Sequence, residues 1–177
     1  MSRQLGDLLV APPALKSEFW CQSVVLLYEA TDTAVMGITL NKPSGKTLRD
    51  LAQHQGLTTL SKEPIYIGGP AHPSSLVMLH TGDWRCSNTQ QIGDDLFISS
   101  DRSMNARLCR GDSPRSWRLF MGLTAWTPQQ LQAELLDPRV GWLTVPFQHQ
   151  DLWREPGREQ WRWCLDRATQ ELVNTYF

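Results

Sequence analysis

The stretch Ser23-Val-Val-Leu-Leu-Tyr-Glu-Ala-Thr-Asp-Thr-Ala-Val-Met-Gly-Ile-Thr-Leu-Asn-Lys-Pro43 decides the fold. Val24–Tyr28 is an unbroken apolar run rich in β-branched and aliphatic residues, which suits a strand covered on both faces. Glu29–Ala34 is polar and small, the length of an open hairpin loop. In the return strand Met36, Ile38 and Leu40 share one face, and Val35, Gly37 and Thr39 the other. Gly37 predicts a bulge or a close backbone approach. Pro43 has no N–H for a ladder, so pairing is expected to end near Asn41.

Working outward, Leu8–Ala11 reads as a short edge strand stopped by Pro12 and Pro13. Phe19 and Trp20 lead into the hairpin as core anchors. Beyond it, Thr47 predicts the N-cap of a helix over Leu48–Gln55, with Asp50 in its first turn and Gly56 at its end. Pro64–Ile67 is a strand broken by Gly68-Gly69-Pro70. Further strands are expected at Ser75–His80, Asp95–Ser100, Arg118–Ala125 and Trp142–Phe147. A helix capped by Ser100 or Asp101 runs to Arg110. Thr127-Pro128-Gln129-Gln130 is a capping box with proline at N1, opening a helix with Leu131, Leu135 and Leu136 inward. A final helix from Arg158 carries the stripe Trp161, Leu165, Ala168 and Leu172. Strands come in adjacent groups. The expected fold is therefore α+β, with a mixed, largely antiparallel sheet and about four helices in one domain over residues 1–177.

Composition narrows the function. A net charge of −1 over 177 residues gives no global attraction to nucleic acid or anionic lipid. The N-terminal region lacks a basic segment followed by a long apolar run, and no stretch reaches membrane-span length. Cys21, Cys86, Cys109 and Cys164 form no C-x-x-C pair. That argues against a zinc site and fits a reducing compartment. A cytoplasmic protein is expected. The eight Trp read as core and rim packing rather than as an aromatic binding surface.

The ordered set of segments resembles the AlgH/YqgE family of bacterial proteins. It is carried by Gly6-Asp7-Leu8-Leu9-Val10-Ala11-Pro12, Ser23-Val24-Val25, Met36-Gly37-Ile38 through Asn41-Lys42-Pro43, Ile67-Gly68-Gly69-Pro70, Leu79-His80, and Trp126 with Gln130-Leu131. The resemblance implies an α+β fold, a cytosolic protein and no established activity, with a family name that reflects an association with transcriptional regulation. Departures stand at Glu29-Ala30, in place of an acidic-His pair, and at Gly122-Leu123-Thr124-Ala125-Trp126 and Gln129-Gln130-Leu131-Gln132, where the family pattern has more glycine and an acidic residue.

Candidate chemistry is sparse. Ser44-Gly45-Lys46-Thr47 has the end of a P-loop, but Leu40 stands where its first glycine belongs, so a strand-to-helix turn is expected. His72 and His80 lack the spacing of metal ligands. No serine has a histidine partner evident from spacing, and no nucleophile elbow occurs. Arg102, Arg107, Arg110, Arg115 and Arg118, against Asp101 and Asp112, read as a solvated face. The polar strand exits define the candidate groove: Asn41, Lys42, Pro43, Gly68, Gly69, Pro70 and His80, with Trp126 as a wall. The leading expectation is a non-enzymatic cytosolic binding protein, without cofactor or metal. It would act through a protein partner rather than by direct nucleic-acid or membrane contact. The alternative is an enzyme or small-ligand binder with its site near Asn41, Gly68, Gly69 and His80.

Overall fold

A computed structural model describes residues 5–177. In chain order the strands are β1 (Asp7–Val10), β2 (Val24–Ala30), β3 (Val35–Thr39), β4 (Pro43–Thr47), β5 (Pro64–Ile67), β6 (Ala71–His80), β7 (Gln90–Gly93), β8 (Leu96–Ser99), β9 (Trp117–Trp126) and β10 (Leu143–Pro146). The helices are α1 (Leu48–His54), α2 (Met104–Cys109), α3 (Pro128–Leu136), α4 (His149–Leu152) and α5 (Arg158–Tyr176).

The sheet runs β10-β1-β2-β3-β9-β6-β8-β7, with β4 and β5 attached alongside β9. Its only parallel pair among the described residues is β5 with β9, Ile65 opposite Leu119; the other pairs are antiparallel. This is the expected α+β fold with a mixed, largely antiparallel sheet. The sheet curls around a core of Leu8, Val10, Val24, Leu26, Ile38, Leu40, Phe120 and Val145, onto which α5 packs Trp161, Cys164 and Ala168. On the outer face, Leu9, Val25, Leu27 and Trp126 receive Leu131 of α3, while Ile65, Met78 and Leu119 receive Leu48 of α1 and Met104 and Leu108 of α2. Strand alternation feeds both layers, so Leu8 turns inward and Leu9 outward.

The hairpin is as expected, and Gly37 marks a close approach: a Cβ there would lie 2.8 Å from Val25 Cγ1 and 3.3 Å from the Trp126 ring. The register shift lies across from it on β2, between Leu27 and Glu29. The capping box is present too, with the Gln130 N–H donating to Thr127 Oγ1 at 3.1 Å and the Thr127 N–H to Gln130 Oε1 at 3.0 Å.

Other expectations are corrected. β1 is not an edge strand, since β10 returns from a distant part of the chain to cover it. The hairpin pairing ends next to Asn41 as expected, its last bond running from the Leu40 N–H to Val24 O, but Pro43 then opens β4, an edge strand that pairs with β5 alone among the described residues, where a missing N–H is tolerated. Ser44–Thr47 is thus bulged strand with Gly45 at φ +78, while Thr47 caps α1 as expected. Ser103, not Ser100 or Asp101, holds the N-cap position of α2. On α3, Leu131 and half-buried Leu135 pack against the core as expected but Leu136 is 73% exposed, and Leu172 is 47% exposed because α5 is exposed from Thr169 onward. β7 and α4 were not expected: β7 is a polar strand paired among the described residues with β8 alone, and α4 is one turn.

Candidate functional site

The strand exits do meet. The Thr39 N–H donates to Gly68 O at 2.8 Å, and the Ile67 N–H to Lys42 O at 2.7 Å, so Asn41–Pro43 and Gly68–Pro70 are neighbours. Their polar groups are nevertheless committed to the fold. Asn41 is 1% exposed; its Oδ1 accepts the Val24 N–H at 3.0 Å. Its Nδ2 donates to Gln22 O at 2.7 Å and to Gly157 O at 3.0 Å, tying the start of α5 to the hairpin. Lys42 Nζ donates to Cys21 O at 2.6 Å, and its partial burial lowers the ammonium pKa.

Gly68 and Gly69 are buried where the chain crosses the backbone of β9. A Cβ on Gly68 would sit 2.3 Å from Gly122 O, and one on Gly69 would sit 2.2 Å from Leu123 C and O. Gly122, at φ +76, completes the crossing, since a Cβ there would lie 2.4 Å from Gly69 O. No side chain fits at any of the three positions. The Gly-Gly pair thus serves chain crossing rather than presenting N–H groups to a ligand: the Gly68 N–H already donates to Met121 O at 2.8 Å.

His80 lies elsewhere. It pairs with Trp117 in β9, whereas Ala71 pairs with Leu123. Six residues of strand separate the two points, roughly 20 Å. His80 is fully buried, stacked near Phe97 and edge-on to Trp84. Its Nδ1–H donates to Thr81 O at 2.7 Å, which makes Nε2 the acceptor from the Ser99 hydroxyl at 2.7 Å. Thr89 Oγ1 in turn donates to Ser99 Oγ at 2.7 Å and accepts the Cys86 N–H at 2.8 Å. This serine–histidine contact was not evident from spacing. Ser99 is only 1% exposed, so the pair is closed to a substrate and pins β6 to β8 and the loop before β7. Burial lowers the His80 pKa, keeping the ring neutral.

The arginine stretch is not a continuous solvated face. Arg118 is 8% exposed on the inner side of β9 and donates to Leu40 O, Gln160 Oε1 and Arg154 O while lying over the Tyr66 ring. Arg107 is paired with Asp112 at 2.7 Å and lies over Trp84. Among the described residues, no cluster of three or more His, Cys, Asp or Glu is placed to hold a metal ion, and no helix is long and apolar enough to cross a membrane. Burial pushes the Cys164 thiol up to about 12, so it stays protonated.

Pro70, exposed, and Trp126, itself only 6% exposed, border one surface depression. They line a depression of about 440 Å³ between the end of β9 and α3, with Trp20, Ala71, Thr124, Ala125, Gln130, Ala133 and Glu134. Trp126 leans over Gly37 and is stacked by half-buried Trp20, with ring centroids 6.0 Å apart and planes 22° apart. Trp142 meets Trp20 edge-on at 5.6 Å. Glu134 Oε2 accepts the indole N–H of Trp126 at 3.3 Å and that of Trp142 at 3.2 Å. Trp20 and Glu134 were not anticipated as site residues. The sequence signal that could have found Glu134 is its place one turn beyond Gln130 on the capping-box helix that follows Trp126.

Comparison with known proteins agrees with this architecture. The profile of the AlgH-like family matches residues 8–173. A UPF0301 protein of Marinomonas sp. (strain MWYL1) is 34% identical over 131 residues, covering 72% of this chain and 70% of that protein. A UPF0301 protein of Shewanella loihica is 29% identical over 172 residues, covering 94% and 90%. The solution structure of the AlgH protein from Pseudomonas aeruginosa superposes with a TM-score of 0.78 at 26% identity, covering 94% of this chain and 90% of that one. A crystal structure of a Corynebacterium diphtheriae protein gives a TM-score of 0.73 at 25% identity over the same shares. The chain belongs to the AlgH-like family.

Proposed function

We propose that this protein acts in the cytoplasm by binding a protein partner, not by catalysis, and that the partner docks on the depression between β9 and α3. One contrast carries the reading. The polar side chains that could have done chemistry, Asn41 and His80, are 1% and 0% exposed, with their hydrogen bonds spent inside the fold. The open depression presents half-buried Trp20, exposed Pro70 and alanines over the buried Trp126, with Thr124, Gln130 and Glu134 as its polar groups. Rigid aromatic and proline surface of this kind gives contact area at little entropic cost. A role in transcription, as the family's name association suggests, would run through that partner, since a net charge of −1 supplies little affinity for a phosphate backbone.

The test is capture from a lysate with the wild-type chain and with Ala133→Arg. Ala133 is exposed on α3 and lines the depression, and arginine is a good helix former there. A partner retained by the wild type and lost by the variant supports the reading. A partner retained equally by both places binding on another surface.

A further inference from the structure

Two carboxylates of this protein, exposed Asp112 and buried Asp151, are each set between an indole N–H and arginines. Asp112 Oδ1 accepts the Trp84 indole N–H at 3.1 Å, and Arg107 both lies over that indole, 4.0 Å from its centroid, and pairs with Asp112 at 2.7 Å. Asp151 Oδ1 accepts the Trp163 indole N–H at 3.2 Å. Arg154 lies 3.4 Å over that ring, and Arg167 pairs with the same carboxylate. In each case an indole N–H fixes the carboxylate and guanidinium groups satisfy its charge and cover the aromatic face. A planar guanidinium can stack on a ring and donate to an adjacent carboxylate at once.

Glu134 has the first half of this arrangement and not the second. Its Oε2 takes two indole N–H groups, from Trp126 and Trp142. Its Oε1 accepts no hydrogen bond among the described residues, yet it is not a buried orphan, so it is open to solvent. No Arg or Lys is among the residues that line the depression. Half-buried Trp20 borders the same space, backed by the buried Trp126 ring.

We infer that the depression is a receptor for an arginine side chain of the partner, whose guanidinium pairs with Glu134 Oε1 and stacks on Trp20. The inference rests on the partner-binding reading above and names the chemistry of the group that the partner presents. Arginine is favoured over lysine because at Asp112 a single guanidinium, that of Arg107, both stacks on the indole and pairs with the carboxylate, which a compact ammonium cannot do.

The test uses the full chain and a defined probe, N-acetyl-arginine methylamide, with its citrulline counterpart as the neutral isostere. The readout is the indole N–H signals of Trp126 and Trp142 in a two-dimensional ¹H–¹⁵N NMR spectrum, assigned through Trp→Phe variants. The expected result is a saturable millimolar shift of both signals with the arginine probe. Citrulline should bind at least about tenfold more weakly, as should either probe to Glu134→Gln or Trp20→Ala. Glu134→Gln keeps an oxygen to accept the indole N–H groups, so unchanged signals from the other Trp residues verify that it folds. No shift, equal binding of citrulline, or full binding to Glu134→Gln would each overturn the inference. Tighter binding of free guanidinium than of the arginine probe would overturn the assignment to a partner's side chain and make this a small-molecule site. These failures differ from failure of the partner reading, which is decided by whether Ala133→Arg loses a captured protein.

Discussion

Replacing Asn41 by alanine separates its structural role from a ligand-binding one. The substitution leaves the Val24 N–H without an acceptor in a position that is 0% exposed. An orphaned buried donor costs about 1–3 kcal/mol. The carbonyls of Gln22 and Gly157 also lose their donor, but both residues are partly exposed and recover some water, so the addition is smaller. The expected total is about 2–4 kcal/mol. For a chain of this size each kcal/mol moves the midpoint by roughly 2–4 °C, so Tm should fall by roughly 4–16 °C. Urea and thermal unfolding of wild type and Asn41→Ala, followed by circular dichroism, give both numbers. Hydrogen exchange should show the first turn of α5 opening more often, because the Asn41 side chain is one of its ties to the hairpin. A variant with wild-type Tm and unchanged exchange near Gly157 would refute this reasoning and return Asn41 to the list of binding residues.

Three further outcomes are expected. Gly69→Ala should cost at least about 3 kcal/mol, seen as lost soluble yield or a large Tm drop, because its Cβ meets backbone 2.2 Å away rather than a movable side chain. Thr127→Ala should cost about 1 kcal/mol in urea unfolding by removing the α3 cap, with the depression's indole signals kept. His80 has its pKa lowered by burial from 6.5, so the unfolded chain takes up a proton at higher pH than the folded one. Its contribution is therefore fully present above 6.5 and lost as pH falls through the folded value. Wild-type Tm should fall more steeply than that of His80→Gln between about pH 7 and pH 5, and parallel curves would contradict this.

What was legible in the sequence was local. The hairpin, the Thr127–Gln130 box and the strand before Gly68 each announce themselves within a few residues, because turn chemistry, capping and alternation act over that range. Long-range pairing was not legible. Nothing near Leu8 says that Leu143–Pro146 will cover its strand, and nothing near Pro43 says that β4 will find β5. The polar strand Gln90–Gly93 has no apolar pattern to detect because it lies at an edge. The candidate groove was half visible for the same reason. Adjacency of Asn41 and Gly68 follows from where two strands end. That the Asn41 amide points into the fold, that His80 sits at the far end of β6, and that Glu134 reaches two indoles depend on side-chain directions set by tertiary packing.

The most direct test of the central claim is hydrogen exchange on the complex of this chain with whatever protein it captures. The account predicts protection, relative to the free chain, at Thr124–Trp126, through α3 and around Pro70 and Ala71, with the amides beside Asn41 and His80 unchanged. Protection concentrated at Asn41 or His80, with α3 exchanging as in the free chain, would contradict it.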